Sequence, residues 1–286
     1  MYEYDGENVI LMLCSKCNVN CKHCYVKYKG NFDKDKVREL LEELKKKYFV
    51  ILNGTEPILF PEYYELFSIN NQQRLLTNGL EFYRHPELID IIKEYGVQEI
   101  AMSYHFGMQD EISYVKSEWL EKVIHDLREK DVKVKLMTTL STDNYLLIDE
   151  MCKKAHDLGA STIKFTNYIY QGNAQDREFS KVLNFEQIQF VLNRIEDLRK
   201  MYDPNELYIQ RCGTFGPNVK KKKFECLAGK NMAVITPDMK VYKCVFDIDA
   251  GNEIGYVEDN RIWIKDEVKS YDTSYCKVLE RYNKVR

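Results

Sequence analysis

The chain has 286 residues, enough for one large α/β domain or for a main domain with a smaller appendage. Its formal net charge of -3 argues against a nucleic-acid-binding protein, and it contains no apolar run of the roughly 18 residues that a membrane span needs. The first residues lack the basic region and cleavage site of a signal peptide, so we expect a cytoplasmic protein with no nucleic-acid or membrane partner.

Short apolar runs alternate with helical patterns from residue 8 to about residue 200. This alternation predicts six strands, over residues 8–13, 49–54, 74–79, 97–105, 132–140 and 161–170. It also predicts six helices, over residues 33–48, 61–67, 85–96, 117–130, 144–159 and 184–202. Repeated β-α order implies parallel strands with right-handed crossovers, and six such units suit a partial (β/α)6 TIM-like barrel.

The last third of the chain has a different character. A boundary is expected around residues 203–212, which gives a barrel domain over 1–203 and a small C-terminal domain over 204–286. Residues 232–246 predict a β-hairpin that turns at Pro237-Asp238-Met239, and more short strands follow it. The expected fold class is therefore α/β, a partial barrel followed by a small hairpin-containing domain.

The nine cysteines gather mainly at the two ends of the chain, which in a reducing cytosol indicates metal ligands or reactive thiols rather than disulfides. Cys17, Cys21 and Cys24 lie in the run CNVNCKHCY, directly after the first predicted strand. A structural zinc site takes four ligands, whereas a four-iron cluster held by three cysteines keeps one iron open to a small molecule. A zinc site completed by Cys14 is the alternative, although Cys14 is expected to end the strand as a small buried side chain.

The run CNVNCKHCY resembles the cysteine loop of the radical SAM superfamily, with its C-x3-C-x2-C spacing and a following aromatic residue. NGTEP at residues 53–57 resembles that family's GGEP-type motif, although Thr55 stands where a second glycine is usual. LLTNG at 75–79 resembles the family's third-strand segment, and YQGNA at 170–174 resembles the stretch after its sixth strand. The resemblance covers roughly residues 8 to 200.

The resemblance implies that Cys17, Cys21 and Cys24 hold a four-iron four-sulfur (4Fe-4S) cluster whose open iron binds S-adenosylmethionine (SAM). It implies that SAM is cleaved reductively, with electrons from a donor such as flavodoxin or ferredoxin, to a 5′-deoxyadenosyl radical that removes a hydrogen atom from the substrate. It places Tyr25 beside the adenine and the NGTE turn at the methionyl amino group. The residues that it assigns to SAM are Tyr25, Asn53, Gly54, Thr55 and Glu56.

Four further cysteines, Cys212, Cys226, Cys244 and Cys276, lie in the last third of the chain. Cys226 and Cys244 frame the predicted hairpin, and this segment resembles the auxiliary-cluster extension of many radical SAM enzymes, called SPASM or, when shortened, twitch. Four cysteines suffice for at most one fully cysteine-ligated iron–sulfur cluster, so the shortened form is the better match. Cys212 and Cys276 are each either a further ligand or a thiol near the substrate. A small zinc knuckle that only stabilises the tail is the alternative.

The role of the two uncertain cysteines bears on the reaction. A spare thiol returns a hydrogen atom to a substrate radical and gives epimerisation, whereas a fully ligated cluster favours net oxidation. His105, at the end of the fourth predicted strand, is expected either to face the cavity, where it binds substrate or shuttles a proton, or to have a structural role.

The preferred hypothesis is modification of a ribosomally made peptide, by epimerisation or by an oxidative cross-link. The chain begins only a few residues before the first strand, so no separate N-terminal leader-peptide-binding domain is expected. The alternatives are a dehydrogenase or epimerase that acts on a small molecule such as an aminosugar, and a zinc-stabilised interaction protein without catalytic activity.

Overall fold

The computed structural model describes residues 1–26, 28–176, 181–216, 226, 228–248 and 251–270. These residues form two compact units, each containing one β-sheet. The seven-stranded unit comprises the described residues within Met1–Asn18, Val26–Gln73 and Glu225–Ser274. The five-stranded unit comprises the described residues within Val19–Tyr25 and Arg74–Phe224. The domain boundary expected at residue 203 stays a prediction.

The secondary structure follows the predicted alternation of strands and helices closely. The described strands are β1 (Tyr2–Glu3), β2 (Asn8–Met12), β3 (Phe49–Asn53), β4 (Arg74–Thr77), β5 (Glu99–Ser103), β6 (Lys133–Leu140), β7 (Thr162–Asn167), β8 (Tyr208–Arg211), β9 (Met232–Ile235), β10 (Lys240–Tyr242), β11 (Gly255–Glu258) and β12 (Arg261–Ile264). The described α-helices are α1 (Lys34–Leu44), α2 (Tyr63–Ile69), α3 (Leu80–Arg84), α4 (Leu88–Glu94), α5 (Gln109–Ile112), α6 (Ser117–Glu129), α7 (Ile148–Asp157) and α8 (Phe185–Met201). Each of the six predicted strands and six predicted helices has a counterpart, and the short α3 and α5 are additional.

The sheet of the seven-stranded unit has the order β1-β12-β11-β10-β9-β2-β3. Its β9–β10 pair is the predicted hairpin, with Val241 opposite Ile235 and a turn in which Met239 has a φ of 61°. The hairpin does not stand apart from the first strand, because β9 pairs in parallel with β2, with Ile10 opposite Val234. This pairing was not predicted from the sequence.

The helix α1 shows how the local sequence sets the elements of this unit. The Asp33 side chain caps the helix by accepting hydrogen bonds from the backbone N–H groups of Asp35 and Lys36, as expected for an N-cap. One face of α1 carries apolar residues at helical spacing, and all of them are buried: Val37, Leu40, Leu41 and Leu44. The helix ends at Leu44, before the predicted end at residue 48.

The five strands of the other unit are all parallel, in the order β4-β5-β6-β7-β8. The strand β8 occupies the segment in which the sequence analysis expected a domain boundary; it pairs with β7 and buries Ile209. Because parallel strands end at a common edge, the connections after β4 to β8 meet at the carboxyl edge of this sheet. Among the described residues, no helix is long and apolar enough to cross a membrane.

Candidate active site

The part of the cysteine run that belongs to the five-stranded unit is held by two connections of its sheet. The backbone N–H of Lys22 donates to the carbonyl of Ile112, the last residue of α5, at 2.8 Å. The backbone N–H of Asn173, beyond β7, donates to the carbonyl of Cys24 at 2.8 Å, and its side-chain amide donates to the carbonyl of Cys21 at 3.0 Å. The backbone carbonyls of Cys21 and Cys24, two of the three predicted cluster ligands, are therefore fixed by hydrogen bonds.

Gly172 permits this close approach. Its φ of +62° lies in the left-handed region, which favours glycine. A Cβ atom at this position would lie 2.8 Å from the carbonyl carbon of Tyr25, and closer still to the carbonyl oxygen of Cys24. The YQGNA segment therefore forms a cradle for the cysteine loop that no residue with a side chain can occupy without displacing backbone.

The exposure of the cysteines matches a division between ligands and core. Cys17 is exposed, and Cys21 and Cys24 are half-buried. Cys14 and Cys152 are fully buried, and burial raises the pKa of both thiols, to about 12 for Cys152. Since the thiolate is the form that binds metal, the three thiols of the C-x3-C-x2-C loop fit an iron–sulfur cluster better than Cys14 fits a zinc site.

The NGTEP turn lies in the seven-stranded unit, directly after β3, and runs alongside the end of the first predicted strand. The N–H of Thr55 donates to the carbonyl of Cys14 at 2.9 Å, and that of Glu56 donates to the carbonyl of Lys16 at 3.1 Å. A Cβ atom on Gly54 would lie 3.2 Å from the Cys14 carbonyl oxygen, so this position leaves little room for a side chain. The turn that the resemblance assigns to SAM is thus bonded to the residues that precede Cys17.

Thr55, the residue that departs from the family pattern, has a contact of its own. Its hydroxyl lies 3.4 Å from the phenol oxygen of Tyr28, to which it donates. Tyr28 in turn donates to the carbonyl of Cys14. The turn begins with Asn53, whose side-chain oxygen accepts from the next backbone N–H at 2.9 Å. The Thr55 side chain is thereby satisfied within the protein.

The five-stranded unit contains a cavity of about 670 Å³. Its wall includes His23 from the cysteine loop, Glu111 from α5, Thr139 and Asn144 from the end of β6 and the connection beyond it, and Tyr168 from beyond β7. This volume is within the range of small-molecule sites, about 300–1,000 Å³. Because its lining residues come from the end of β6 and from the connections beyond β5, β6 and β7, the cavity lies at the carboxyl edge of the sheet, where parallel α/β folds place their functional groups.

The wall of this cavity carries charges of both signs. Lys22 and Glu111 contribute one charge of each sign. Lys181 and Asp143 form an ion pair, with 2.6 Å between Nζ and a carboxylate oxygen. These charged groups offer hydrogen-bond donors and acceptors to the polar groups of a ligand.

His105 lies behind this wall. It is only 2% exposed, its backbone N–H donates to Oε1 of Gln109 at 2.8 Å, and its Nδ1 accepts from the backbone N–H of Thr139 at 3.3 Å. Its ring meets the ring of His23 edge-on, with centroids 4.2 Å apart and planes at 70°. The side chain that lines the cavity is that of His23, and His105 is in contact with it.

The sequence analysis missed His23, although it stands within the cysteine run. The spacing of the cysteines carries no information on the two residues between Cys21 and Cys24, and the aromatic ring at position 23 was the available signal. Burial lowers the pKa of His23 to about 4, and burial together with the proximity of His23 lowers the pKa of His105. Both rings are therefore neutral at neutral pH.

The C-terminal cysteines are found in different places. Cys212 follows β8 in the five-stranded unit, is half-buried, and donates its N–H to the carbonyl of Phe165 at 2.8 Å. Cys226 and Cys244 are half-buried in the seven-stranded unit, on either side of the hairpin. Cys276 lies outside the described residues.

The two ends of the hairpin segment approach each other. A Cβ atom on Gly229 would lie 3.0 Å from Cγ of Lys243, so the stretch before β9 lies beside the residue that precedes Cys244. This arrangement is compatible with a shared ligand set for Cys226 and Cys244, and their role as ligands stays a prediction.

Comparison with known proteins identifies the family. The family model of the radical SAM superfamily matches residues 11–155, about half of the chain. The chain belongs to the radical SAM superfamily. Membership confirms the predicted cofactors, SAM and a SAM-binding 4Fe-4S cluster, and makes the protein a radical SAM enzyme. The auxiliary cluster stays a prediction.

Two curated proteins are similar to this chain in sequence. The chain is 26% identical over 180 residues to the pre-heme d1 synthase of Dinoroseobacter shibae, an alignment that covers 57% of this chain and 44% of that protein. It is 24% identical over 305 aligned positions to the GTP 3′,8-cyclase of Aquifex aeolicus, covering 96% of this chain and 93% of that one. The chain thus spans less than half the length of the first relative.

The fold resembles that of SuiB from Streptococcus suis. A crystal structure of SuiB bound to SAM matches 93% of this chain and 66% of SuiB, with a TM-score of 0.70 at 13% identity. A second crystal structure, bound to the precursor peptide SuiA, matches 99% of this chain and 67% of SuiB, with a TM-score of 0.71 at 13% identity. The likeness confirms the expected α/β fold with a partial TIM-like barrel.

Proposed function

We propose that this radical SAM enzyme modifies a peptide, either by epimerising one residue or by joining two residues in an oxidative cross-link. The observation that carries the proposal is the cavity of about 670 Å³ in the five-stranded unit, whose wall includes the cysteine-loop residues Lys22 and His23. The likeness to SuiB, which has been crystallised with a precursor peptide, supports a peptide as the occupant.

The cofactor residues are proposed from their places in the structure. Cys17, Cys21 and Cys24 would hold the cluster, which when bound supplies the electron that cleaves SAM to a 5′-deoxyadenosyl radical. Tyr25 would lie beside the adenine, and the NGTE turn that includes Glu56 would bind the methionyl amino group. Flavodoxin or ferredoxin is the proposed source of the electron, and the cytoplasm the proposed location.

The cavity wall suits a peptide backbone. Thr139 lies near the end of β6, Ser141 and Asn144 lie in the connection beyond it, and all three line the cavity. The Asn144 amide is engaged within the protein, because it accepts from the N–H of Ser141 and donates to the carbonyl of Thr139. The Ser141 hydroxyl accepts from the N–H of Asp143 and keeps its proton as a donor for a peptide carbonyl. The ion pair of Lys181 with Asp143 adds charges of both signs at the same wall. A side chain of either charge would therefore find a partner there.

The C-terminal cysteines would decide between the two reactions. Cys226 and Cys244 are proposed to hold an auxiliary iron–sulfur cluster, with Cys276 or Cys212 completing the set. Cys212 stands at the carboxyl edge of the five-stranded sheet, the edge that carries the cavity. If Cys212 is the residue that is not a ligand, its thiol would return a hydrogen atom to the substrate radical, which gives epimerisation.

The test is turnover under anaerobic conditions in heavy water, with SAM, a reductant and candidate peptides encoded next to the gene. Release of 5′-deoxyadenosine together with one deuterium gained at a single carbon indicates epimerisation, and loss of two mass units indicates a cross-link or dehydrogenation. Cys24→Ala is the control that should give neither. Absence of 5′-deoxyadenosine from the wild-type enzyme with every peptide would refute the proposal.

A small-molecule substrate is the second candidate. The relative that aligns along nearly the whole chain, at 24% identity over 96% of it, is named a GTP 3′,8-cyclase, and this favours a compact polar substrate such as an aminosugar or a nucleotide. The same assay with a panel of these molecules separates the two candidates, since 5′-deoxyadenosine accumulates only with the true substrate class.

A further inference from the structure

Two buried ring nitrogens of the five-stranded unit have no hydrogen-bond partner among the described residues, and they belong to rings in contact. They are Nδ1 of His23 and Nε2 of His105, and the ring centroids lie 4.2 Å apart. A buried polar atom without a partner is destabilising and uncommon in native proteins, so two such atoms in neighbouring rings require a physical explanation.

The surroundings of His105 decide which of its nitrogens carries the proton. Its Nδ1 faces the backbone N–H of Thr139, which can only donate, so Nδ1 must offer its lone pair. A neutral imidazole carries one proton, and in His105 that proton is therefore on Nε2. The unpartnered nitrogen of His105 is thus a donor, and it lies in a ring that touches His23.

The ring of His105 is the more firmly held of the two. Its backbone N–H donates to Oε1 of Gln109, which is itself buried and donates from Nε2 to the carbonyl of Val115 at 2.9 Å. His23, by contrast, lies on the cavity wall. The terminal torsion of a histidine is broad, so the His23 ring can turn and, by moving outward toward the cavity from its present edge contact, bring its Nδ1 in line with the donor.

We propose that His105 is a positioning residue that donates a hydrogen bond from Nε2 to Nδ1 of His23, and so directs the Nε2–H of His23 into the cavity. His23 then offers a donor of fixed direction to an acceptor atom of the molecule bound there, either SAM or the substrate. The inference rests on the proposed function, since it assigns His23 to a ligand of that cavity.

Two substitutions of His105 separate this role from a purely structural one. In His105→Gln the side-chain amide nitrogen takes the place of Nε2, so the donor toward His23 is kept while the acceptor for Thr139 is lost. In His105→Asn the amide takes the place of Nδ1, so the contact with Thr139 is kept and the donor is lost. The two variants are a matched pair with opposite expectations.

The first readout is the tautomer of His23, from long-range ¹H–¹⁵N spectra of the holoenzyme with its cluster oxidised. The chain has five histidines, so each is assigned by a single substitution. The expected result is a proton on Nε2 of His23 in the wild type and in His105→Gln, and a mixture of tautomers in His105→Asn. A proton on Nδ1 in the wild type, or an unchanged tautomer in His105→Asn, would overturn the proposal.

The second readout is ligand binding. His105→Asn should raise either the Kd for SAM or the KM for substrate by about twofold to tenfold, which corresponds to the loss of one hydrogen bond. In His105→Gln the same constant should stay at the wild-type value. The parameter that changes identifies the ligand of His23. Equal loss of iron from both variants would indicate a structural role and count against the proposal. The tautomer needs no turnover, so a failure of the proposed function is distinguishable from a failure of this inference.

Discussion

Gly172→Ala tests whether the segment after β7 is the cradle of the cysteine loop. The added methyl group would meet backbone from two sides, at 2.8 Å from the carbonyl carbon of Tyr25 and closer to the carbonyl oxygen of Cys24. Backbone cannot turn aside as a flexible side chain can. We expect the loop to be displaced and the cluster to be lost.

The loss of folding stability expected for Gly172→Ala has two contributions. Holding an alanine at a φ of +62° costs about 1–2 kcal/mol. Displacing the loop also breaks the hydrogen bond from the Asn173 N–H to the Cys24 carbonyl and strains the one from the Asn173 side chain to the Cys21 carbonyl. A hydrogen bond is worth about 1 kcal/mol, so one broken bond and one strained bond together add about 1–2 kcal/mol. The total loss of stability is therefore about 2–4 kcal/mol.

Gly96→Ala is the matched control. Gly96 belongs to the same unit and has a φ of +87°, but a Cβ atom there would meet nothing within 4 Å. It therefore carries the cost of the backbone conformation alone, about 1–2 kcal/mol. The difference between the two variants, about 1–2 kcal/mol, isolates the close approach to the cysteine loop.

The assay is iron per chain after anaerobic reconstitution, together with the free energy of unfolding in denaturant. Gly172→Ala should bind markedly less iron than the wild type, and Gly96→Ala should bind as much as the wild type despite a lower stability. If both variants kept full iron, or lost it equally, the cradle would not be what holds the loop.

Substitutions at four further positions have defined outcomes. Cys24→Ala should abolish release of 5′-deoxyadenosine, whereas Cys226→Ala should spare SAM cleavage and stop substrate turnover; retained 5′-deoxyadenosine in the Cys24 variant would refute the ligand assignment. Asn173→Asp keeps the shape of the side chain but removes the amide donor to the cysteine loop, so the iron content per chain should fall. Asn173→Gln, measured alongside, shows whether an amide on a longer side chain restores the iron content. Burial and the nearby Arg74 lower the pKa of Lys135 from 10.5 to about 8. At this residue the unfolded chain binds more protons than the folded chain between these values, so the contribution of Lys135 to stability should rise with pH from 8 to 10.5. Lys135→Met should flatten that rise by up to about 3 kcal/mol in denaturant titrations, and a parallel pair of pH curves would contradict this reasoning.

Elements with a local signal were predicted well. The helix α6 was predicted over residues 117–130 and runs over Ser117–Glu129, because Leu120, Val123, Ile124 and Leu127 mark one buried face. The hairpin of β9 and β10 was predicted from its turn residues, and its turn at Met239 is where the sequence placed it. In both cases the information lies within a few residues of the element.

Elements set by distant pairing were not predictable in this way. The strand β8 has four residues and follows a run of turn formers, so its sequence also suits a boundary, and its pairing with β7 decides its conformation. The same holds for the parallel pairing of β9 with β2, which joins residues more than 200 positions apart in the chain. No local pattern specifies such a partner.

The candidate site shows the same division. Cysteine spacing and the four family-like motifs led to the predicted ligands and the predicted SAM-binding turn, but not to the contacts that hold these segments in the structure. Gly172 entered only as a letter of the YQGNA segment, and its close approach to Cys24 is visible only in three dimensions. The pairing of His23 with His105 depends on the same folding, since 81 intervening residues separate them.

The connection between β5 and α5 links the cavity to the cysteine loop. It carries His105, which touches His23, and it leads into α5, whose last carbonyl at Ile112 holds the N–H of Lys22. Both His23 and Lys22 line the cavity, as does Ile112 itself. A molecule bound there therefore contacts the same short stretch that fixes the backbone between Cys21 and Cys24. A ligand that binds one conformation of the cysteine loop more tightly than another would therefore shift the loop toward that conformation.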